Sequence, residues 1–133
     1  MLSFARGFST DSEAFAIFVS EKYEYRDKNG ILSKDTVQKV DLFLKRLKQK
    51  NIKEEINSFD ISDRKKCFVI KIKNKYESYY SEEIGGSFFS YIDNFKSINS
   101  IDLYPDSLNQ SQDKLIQFFS EFIFGFNLKS YKF

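Results

Sequence analysis

The residue types that most enzymes use for acid–base and nucleophilic chemistry are scarce in this sequence. It contains no histidine and a single cysteine, Cys67. The lack of histidine removes the commonest general base, the Ser-His and Cys-His nucleophile pairs and most zinc sites. Cys67 begins the apolar run Cys67-Phe68-Val69-Ile70, where a thiol is typical of a buried core and not of an activated nucleophile. We therefore predict that this chain carries no catalytic residue.

Acidic pairs and one glycine pair are the other groups that could bind a ligand. The acidic pairs are Asp11/Glu13, Glu54/Glu55 and Glu82/Glu83, and none has the spacing of a calcium-binding loop. Such pairs are more typical of solvated surfaces and of helix starts. Gly85-Gly86 does not follow a strand directly, as a phosphate-binding glycine loop does, because Tyr76 to Ser81 intervene. The sequence predicts no metal and no cofactor in this chain.

Basic side chains concentrate on the first predicted helix and form a candidate nucleic-acid surface. The residues proposed for this contact are Lys39, Lys45, Arg46 and Lys48. Acidic residues in the same segment dilute the charge, and the whole chain carries only +2, from 21 basic and 19 acidic residues. A solvated helix face is the alternative interpretation.

Apolar patterns predict the elements that would position these groups. The predicted strands are Leu2–Phe8, Ala14–Val19, Tyr23–Arg26, Glu55–Ile61, Cys67–Lys73 and Ile98–Tyr104. The predicted helices begin at Ser33, at Ser81 and between Ser107 and Gln112, and the last helix with its exit runs from Asp113 to Phe133. This order predicts a three-layer α/β sandwich, in which helices flank a mixed sheet of about five or six strands.

The last helix is predicted to carry one apolar face that must be covered, formed by Leu115, Ile116, Phe119, Phe122, Ile123 and Phe126. The all-apolar run at Ala14–Val19 predicts a central strand, and Asn29-Gly30 predicts a turn.

Length and composition indicate one folded domain over residues 1–133. Hydrophobic residues make up 41% of the chain and aromatic residues 18%, which is ample for a packed interior. The sequence shows neither a signal peptide nor an apolar run long enough to span a bilayer. A lone cysteine suits a reducing compartment, so we expect a cytoplasmic protein without membrane contact.

Several segments resemble the N-terminal, non-catalytic domain of the leucyl (cytosol) aminopeptidase family. They are EAFAIFV at 13–19, VDLFLKRL at 40–47, CFVIKIKNK at 67–75, GGSFFSYIDNFKSINSIDLYP at 85–105 and SEFIFGFNLKSYKF at 120–133. In the last segment, Gly125, Phe126, Leu128, Tyr131 and Lys132 occupy the places of a family glycine and an aromatic-rich stretch ending in Tyr-Lys. Lys73-Asn74-Lys75 replaces the family's glycine turn, so the resemblance is to a strongly diverged member.

The resemblance implies a macrodomain-like fold attached to a separate C-terminal peptidase domain. That domain would bind two divalent metal ions (zinc, manganese or magnesium) and remove N-terminal residues from peptides. This chain would then be a non-catalytic structural and oligomerisation domain. Its partners would be the peptidase domain and other copies in a homo-oligomer, a hexamer in the family. Phe126, Leu128, Tyr131 and Phe133 are expected to contact the peptidase domain.

Two other functions stay open at the level of sequence. A macrodomain-like module that binds ADP-ribose or a related nucleotide is suggested by fold analogy, although the sequence lacks glycine-rich loops that would hold a diphosphate. A DNA-binding module would use the basic face of the first helix and its exit, from Lys39 to Lys53.

Overall fold

The computed structural model describes residues 12–77, 79–95 and 97–131, and the backbone of residues 3–6. The strands are β1 Ser3–Arg6, β2 Ala14–Val19, β3 Ile56–Ser62, β4 Lys65–Lys71 and β5 Ser100–Tyr104. The helices are α1 Lys34–Gln49, α2 Tyr80–Ile92 and α3 Gln112–Ser130, and a short 3-10 turn covers Pro105–Ser107. Residues Met1–Lys73 and Ile98–Asn109 form one compact unit, and Asn74–Ser97 and Gln110–Phe133 form a second.

The first unit contains a five-stranded mixed sheet with the order β1-β5-β2-β4-β3. β1, β5, β2 and β4 are parallel to one another, and the edge strand β3 pairs antiparallel with β4. All six residues of β2 are buried, as expected for an uninterrupted apolar strand with a neighbour on each side. The prediction of a macrodomain-like α/β fold with a mixed sheet of about five or six strands is confirmed.

Helix α1 begins where the sequence predicts it. Ser33 caps the helix, and its hydroxyl accepts a hydrogen bond from the backbone N–H of Thr36 at 3.1 Å. Val40, Leu44 and Leu47 recur at helical spacing and are buried. They share a core cluster with alternate residues of the sheet, among them Phe15, Ile17, Val19, Cys67 and Val69. Alternation along the strands thus selects the side chains that pack with α1.

The second unit contains α2 and α3, which approach each other unusually closely at two glycines. A methyl group at Gly85 would overlap the carbonyl oxygen of Phe122, and one at Gly125 would overlap the carbonyl oxygen of Glu82. Helix α2 begins at Tyr80 and not at Ser81, because the N–H of Glu83 already donates to the carbonyl of Tyr79 at 3.0 Å. The contact needs glycine for its close backbone approach.

Two expectations for individual segments are wrong. Tyr23–Arg26 is not a strand, because hydrogen bonds from Ser20 close the chain into a tight turn there. The apolar face predicted for the last helix is only partly buried: Leu115, Phe122 and Phe126 are buried, whereas Ile116 is 48% exposed. Within the described residues, no helix is both long enough and apolar enough to cross a bilayer.

Candidate functional site

The carboxyl ends of β2, β4 and β5 lie at the same edge of the sheet, because these strands are parallel. Open α/β sheets bind ligands at this edge, where the loops after neighbouring strands diverge. Here the loop after β2 is long, running from residue 20 to residue 33 before α1 begins. This loop and the adjacent surface of α1 form the candidate site.

Ser20 closes the first part of the loop into a tight turn. Its N–H donates to the carbonyl of Glu24 at 2.9 Å, and its carbonyl accepts from the N–H of Tyr23 at 2.8 Å. Its hydroxyl accepts from the N–H groups of Lys22 at 3.3 Å and Glu24 at 3.2 Å. Tyr23 consequently has a left-handed backbone with φ of 62°, which costs about 1–3 kcal/mol for a residue other than glycine. Strained residues of this kind are concentrated at binding sites.

Tyr23 is held by the last residue of β4 and by the segment after α1. Its hydroxyl donates to the carbonyl of Ile52 at 3.0 Å. The Lys71 ammonium donates to the same carbonyl at 3.3 Å and to the Tyr23 hydroxyl at 3.2 Å, and it lies 5.0 Å from the ring centroid. The cation–π contact adds to these hydrogen bonds, so the ring has a defined position at the site.

Tyr25 is anchored on α1. Its hydroxyl donates to the Asp41 carboxylate at 2.9 Å. Burial, followed by this hydrogen bond and the negative charge of Asp41, raises the pKa of the Tyr25 phenol well above its usual range. Tyr25 is therefore a protonated hydrogen-bond donor at neutral pH, and its hydroxyl occupies one oxygen of the Asp41 carboxylate.

These residues border a pocket of about 390 Å³, which is within the size range of small-ligand sites. It is lined by Lys22, Tyr23, Glu24, Tyr25, Asp41, Leu44, Lys45 and Lys48. Three lysines face two carboxylates, one of which is engaged by Tyr25. None of the three lysines forms an ion pair with another residue that the structure describes. The pocket thus combines aromatic rings with available positive charge, which suits an anion that carries an aromatic ring.

The second part of the loop is joined to the segment after β5. The backbone N–H of Arg26 donates to the carbonyl of Ser107 at 2.9 Å, and its guanidinium donates to the Asp106 carbonyl at 3.1 Å and to Asn109 Oδ1 at 3.0 Å. The Tyr104 hydroxyl donates to Asp27 Oδ1 at 2.6 Å. These bonds close the chain over the ends of β2 and β5. The pocket lies on the other part of the loop, beside α1.

Asp27 shapes the turn that leads into α1. Its carboxylate accepts from the N–H groups of Ile31 and Leu32, each at 2.9 Å. Gly30 has a left-handed backbone with φ of 60°, as the predicted Asn-Gly turn requires. Burial and the contact with Asp27 raise the pKa of the Tyr104 phenol above its usual range. One carboxylate therefore organises both the loop and its link to β5.

The structure separates the four basic residues predicted for nucleic-acid contact. Lys45 and Lys48 line the pocket. Lys39 pairs with Asp35 at 3.3 Å and donates to the carbonyl of Ile61 at 2.9 Å. Arg46 is exposed and is seven residues from Lys39, which places these two on one side of the helix. Only Lys45 and Lys48 therefore belong to the candidate site.

The residues expected to contact a peptidase domain lie on α3 and beyond it. Phe126 is buried, whereas Leu128 and Tyr131 are exposed. Phe133 lies outside the described residues. Gly85-Gly86 is inside α2 and forms no phosphate loop, and of the two only Gly85 serves the close contact between the helices.

The sequence patterns did not identify four residues of this loop as site residues, namely Lys22, Tyr23, Tyr25 and Arg26. A usable signal was present, because a polar and aromatic segment directly follows the most apolar strand of a predicted parallel sheet. It was hidden because Tyr23–Arg26 also has the composition of a short strand. Among the described residues, no group of three or more acidic or cysteine side chains could hold a metal ion.

The fold places this chain in the structural class of macrodomain-like α/β proteins. Comparison with solved structures finds a similar one in the macrodomain of Thermus aquaticus DarG, with a TM-score of 0.64 and 16% sequence identity. The similarity covers 96% of this chain and 91% of that chain. Comparisons with protein-family models and with curated proteins give no match.

The assignment to the leucyl aminopeptidase family is wrong. The structural comparison finds a macrodomain and gives no support for an aminopeptidase, a hydrolase or a protease. The resemblance rested on apolar strands and helices, which many α/β sheets with this order of elements share. The predicted role as an aminopeptidase oligomerisation domain is therefore also incorrect.

Proposed function

We propose that this chain is a macrodomain-like module that binds ADP-ribose or a related nucleotide. The observation that supports it most is the pocket beside α1, which combines Tyr23 and Tyr25 with Lys22, Lys45 and Lys48 at the carboxyl edge of the sheet. The proposal is for binding and not for catalysis. It takes up the alternative that the sequence left open.

The lysines answer the objection that the chain lacks glycine-rich loops. A glycine loop binds a diphosphate through backbone N–H groups, whereas an ammonium group binds it as a point charge. Lys45 and Lys48 are three residues apart on α1, so both can reach one phosphate group or two adjacent ones. A tyrosine ring provides a surface on which a base stacks, worth about 1–3 kcal/mol per base.

The proposal is tested by calorimetric titration of the full chain with ADP-ribose, and with ADP and ribose 5-phosphate to separate the contributions. We expect the Lys45→Ala/Lys48→Ala variant to bind at least about 100-fold more weakly, because each lysine removed loses about 1.5–3 kcal/mol from a hydrogen bond to a charged group. Lys34→Ala is the matched control, because Lys34 is exposed on the same helix and lies outside the pocket.

Absence of heat with all three ligands at millimolar concentration would refute nucleotide binding. Binding that is equally strong in the double variant would place the nucleotide elsewhere. Duplex DNA is titrated in parallel, since Lys45 and Lys48 also belong to the predicted DNA surface. A salt-sensitive affinity for DNA without any affinity for the nucleotides would favour the nucleic-acid module instead.

A further inference from the structure

The face of the second unit beside the two contact glycines contains a groove of about 660 Å³. It is lined by Gly86, Ser87 and Ser90 of α2 and by Gly125, Leu128 and Lys129 of α3. The α2 residues Gly86, Ser87 and Ser90 that line the groove are small, so few of their side-chain atoms fill it. The groove is therefore wide enough to receive an apolar side chain from another molecule.

An apolar ridge runs along α3 next to this groove. Phe124, Leu128 and Tyr131 follow one another at intervals of four and three residues, so they share one side of the helix. Their exposed fractions are 56%, 55% and 69%. The opposite side of the same helix is buried through Leu115, Phe118, Phe122 and Phe126. An exposed apolar patch of this kind, beside a groove, is typical of an interaction surface.

The charges at the groove identify the occupant. Glu82 and Glu83 of α2 and Lys129 of α3 all line it. None of the three forms an ion pair with another residue in the described part of the chain. One face thus carries a ridge and a groove, and a positive and a negative group. A two-fold contact requires this self-complementary arrangement, because each feature meets its counterpart on an identical molecule.

We propose that this face binds a second copy of the same chain about a two-fold axis. Leu128 of each copy enters the groove between α2 and α3 of the other. Lys129 of each copy pairs with Glu82 and Glu83 of the other.

The contact is tested first by the mass of the full chain in solution, measured by light scattering on a size-exclusion column over a range of concentrations. The unaltered chain is expected to reach twice the mass of one chain. Leu128→Asp is expected to reduce this to a single mass, because it places a charge in an apolar groove. Ile116→Asp is the matched control, since Ile116 is an exposed apolar residue of the same helix outside the groove. It should remain dimeric.

A charge exchange tests the pairing itself. Lys129→Glu alone, and Glu82→Lys/Glu83→Lys alone, should each be monomeric, because like charges meet at both symmetric contacts. An equimolar mixture of the two variants should restore the dimer, since both contacts then join opposite charges. Circular dichroism verifies that each variant is folded.

A single chain mass for the unaltered protein up to millimolar concentration would overturn the proposal. So would a dimer that survives Leu128→Asp, or a mixture of the two charge variants that stays monomeric while the unaltered chain dimerises.

Discussion

At the scale of single residues, two tyrosine–carboxylate pairs hold the loop of the candidate site. Tyr25 donates to Asp41 on α1, and Tyr104 on β5 donates to Asp27 in the loop. Each pair joins segments that are distant in sequence. In both pairs, burial and the adjacent carboxylate raise the pKa of the phenol. The folded protein therefore retains these two protons at a pH where an unfolded tyrosine releases its own.

This difference predicts a loss of stability at alkaline pH. The unfolded phenols ionise near pH 10, about the ordinary tyrosine value, while the folded ones stay protonated. The folded state then binds more protons, so the free energy of unfolding falls as the pH rises above about 10. Urea unfolding at pH values from about 8 to about 11 measures this fall in the free energy of unfolding. Tyr25→Phe and Tyr104→Phe should each flatten the decline, and Tyr79→Phe is the control because Tyr79 is exposed. If both site variants lose stability with pH as steeply as the unaltered chain, the two phenols are not the cause of the decline.

At the scale of secondary-structure elements, glycine sets the distance between α2 and α3. Gly85 and Gly125 each lie against a backbone carbonyl of the opposite helix. The neighbouring Gly86 lies in the open groove and has only ordinary contacts. Two adjacent glycines in one helix therefore have different roles, which the Gly-Gly pair in the sequence does not distinguish.

Alanine substitutions should separate these roles. Gly85→Ala is expected to lower the free energy of unfolding by about 1–3 kcal/mol, because the added methyl group forces the helix backbones apart. Gly86→Ala should be neutral or raise it by up to about 1 kcal/mol, since alanine favours helix and the added methyl group makes only ordinary contacts. Urea denaturation at low protein concentration measures both. Equal effects of the two changes would show that Gly85 does not limit the approach of the helices.

Helix α3 shows how far periodicity predicts an element. The spacing of its apolar residues identified the helix and most of its buried face, including Leu115, Phe122 and Phe126. Apolar residues occur on more than one side, so the pattern did not tell the buried face from the exposed ridge at Phe124 and Leu128. Burial is decided by what packs on each side, and the sequence of the helix does not contain that information.

Cys67 provides a probe of the whole molecule. It is the only cysteine of the chain, and it lies fully buried in β4 between two other strands. Burial alone raises the pKa of its thiol well above the ordinary value. Both factors suppress the thiolate that reacts with a disulfide reagent.

We therefore expect Ellman's reagent to label Cys67 only when the sheet unfolds. With increasing urea, labelling should begin in the same range as the loss of circular dichroism, because a central strand opens only with the global transition. Immediate labelling in guanidinium chloride is the control that the thiol is intact. Rapid labelling of the native protein would show that the sheet opens locally.

The alternation of apolar strands and amphipathic helices was enough to predict the α/β class, the central place of β2 and the cap of α1 at Ser33. These features depend on local propensity and on a periodicity that any stretch of chain carries by itself. The pattern was also too general to identify a family, which is why it led to an aminopeptidase. The sites were decided by tertiary structure. Lys22 and Lys45 line one pocket only because the loop after β2 returns to α1, and Gly85 contacts Phe122 only because α2 and α3 pack together.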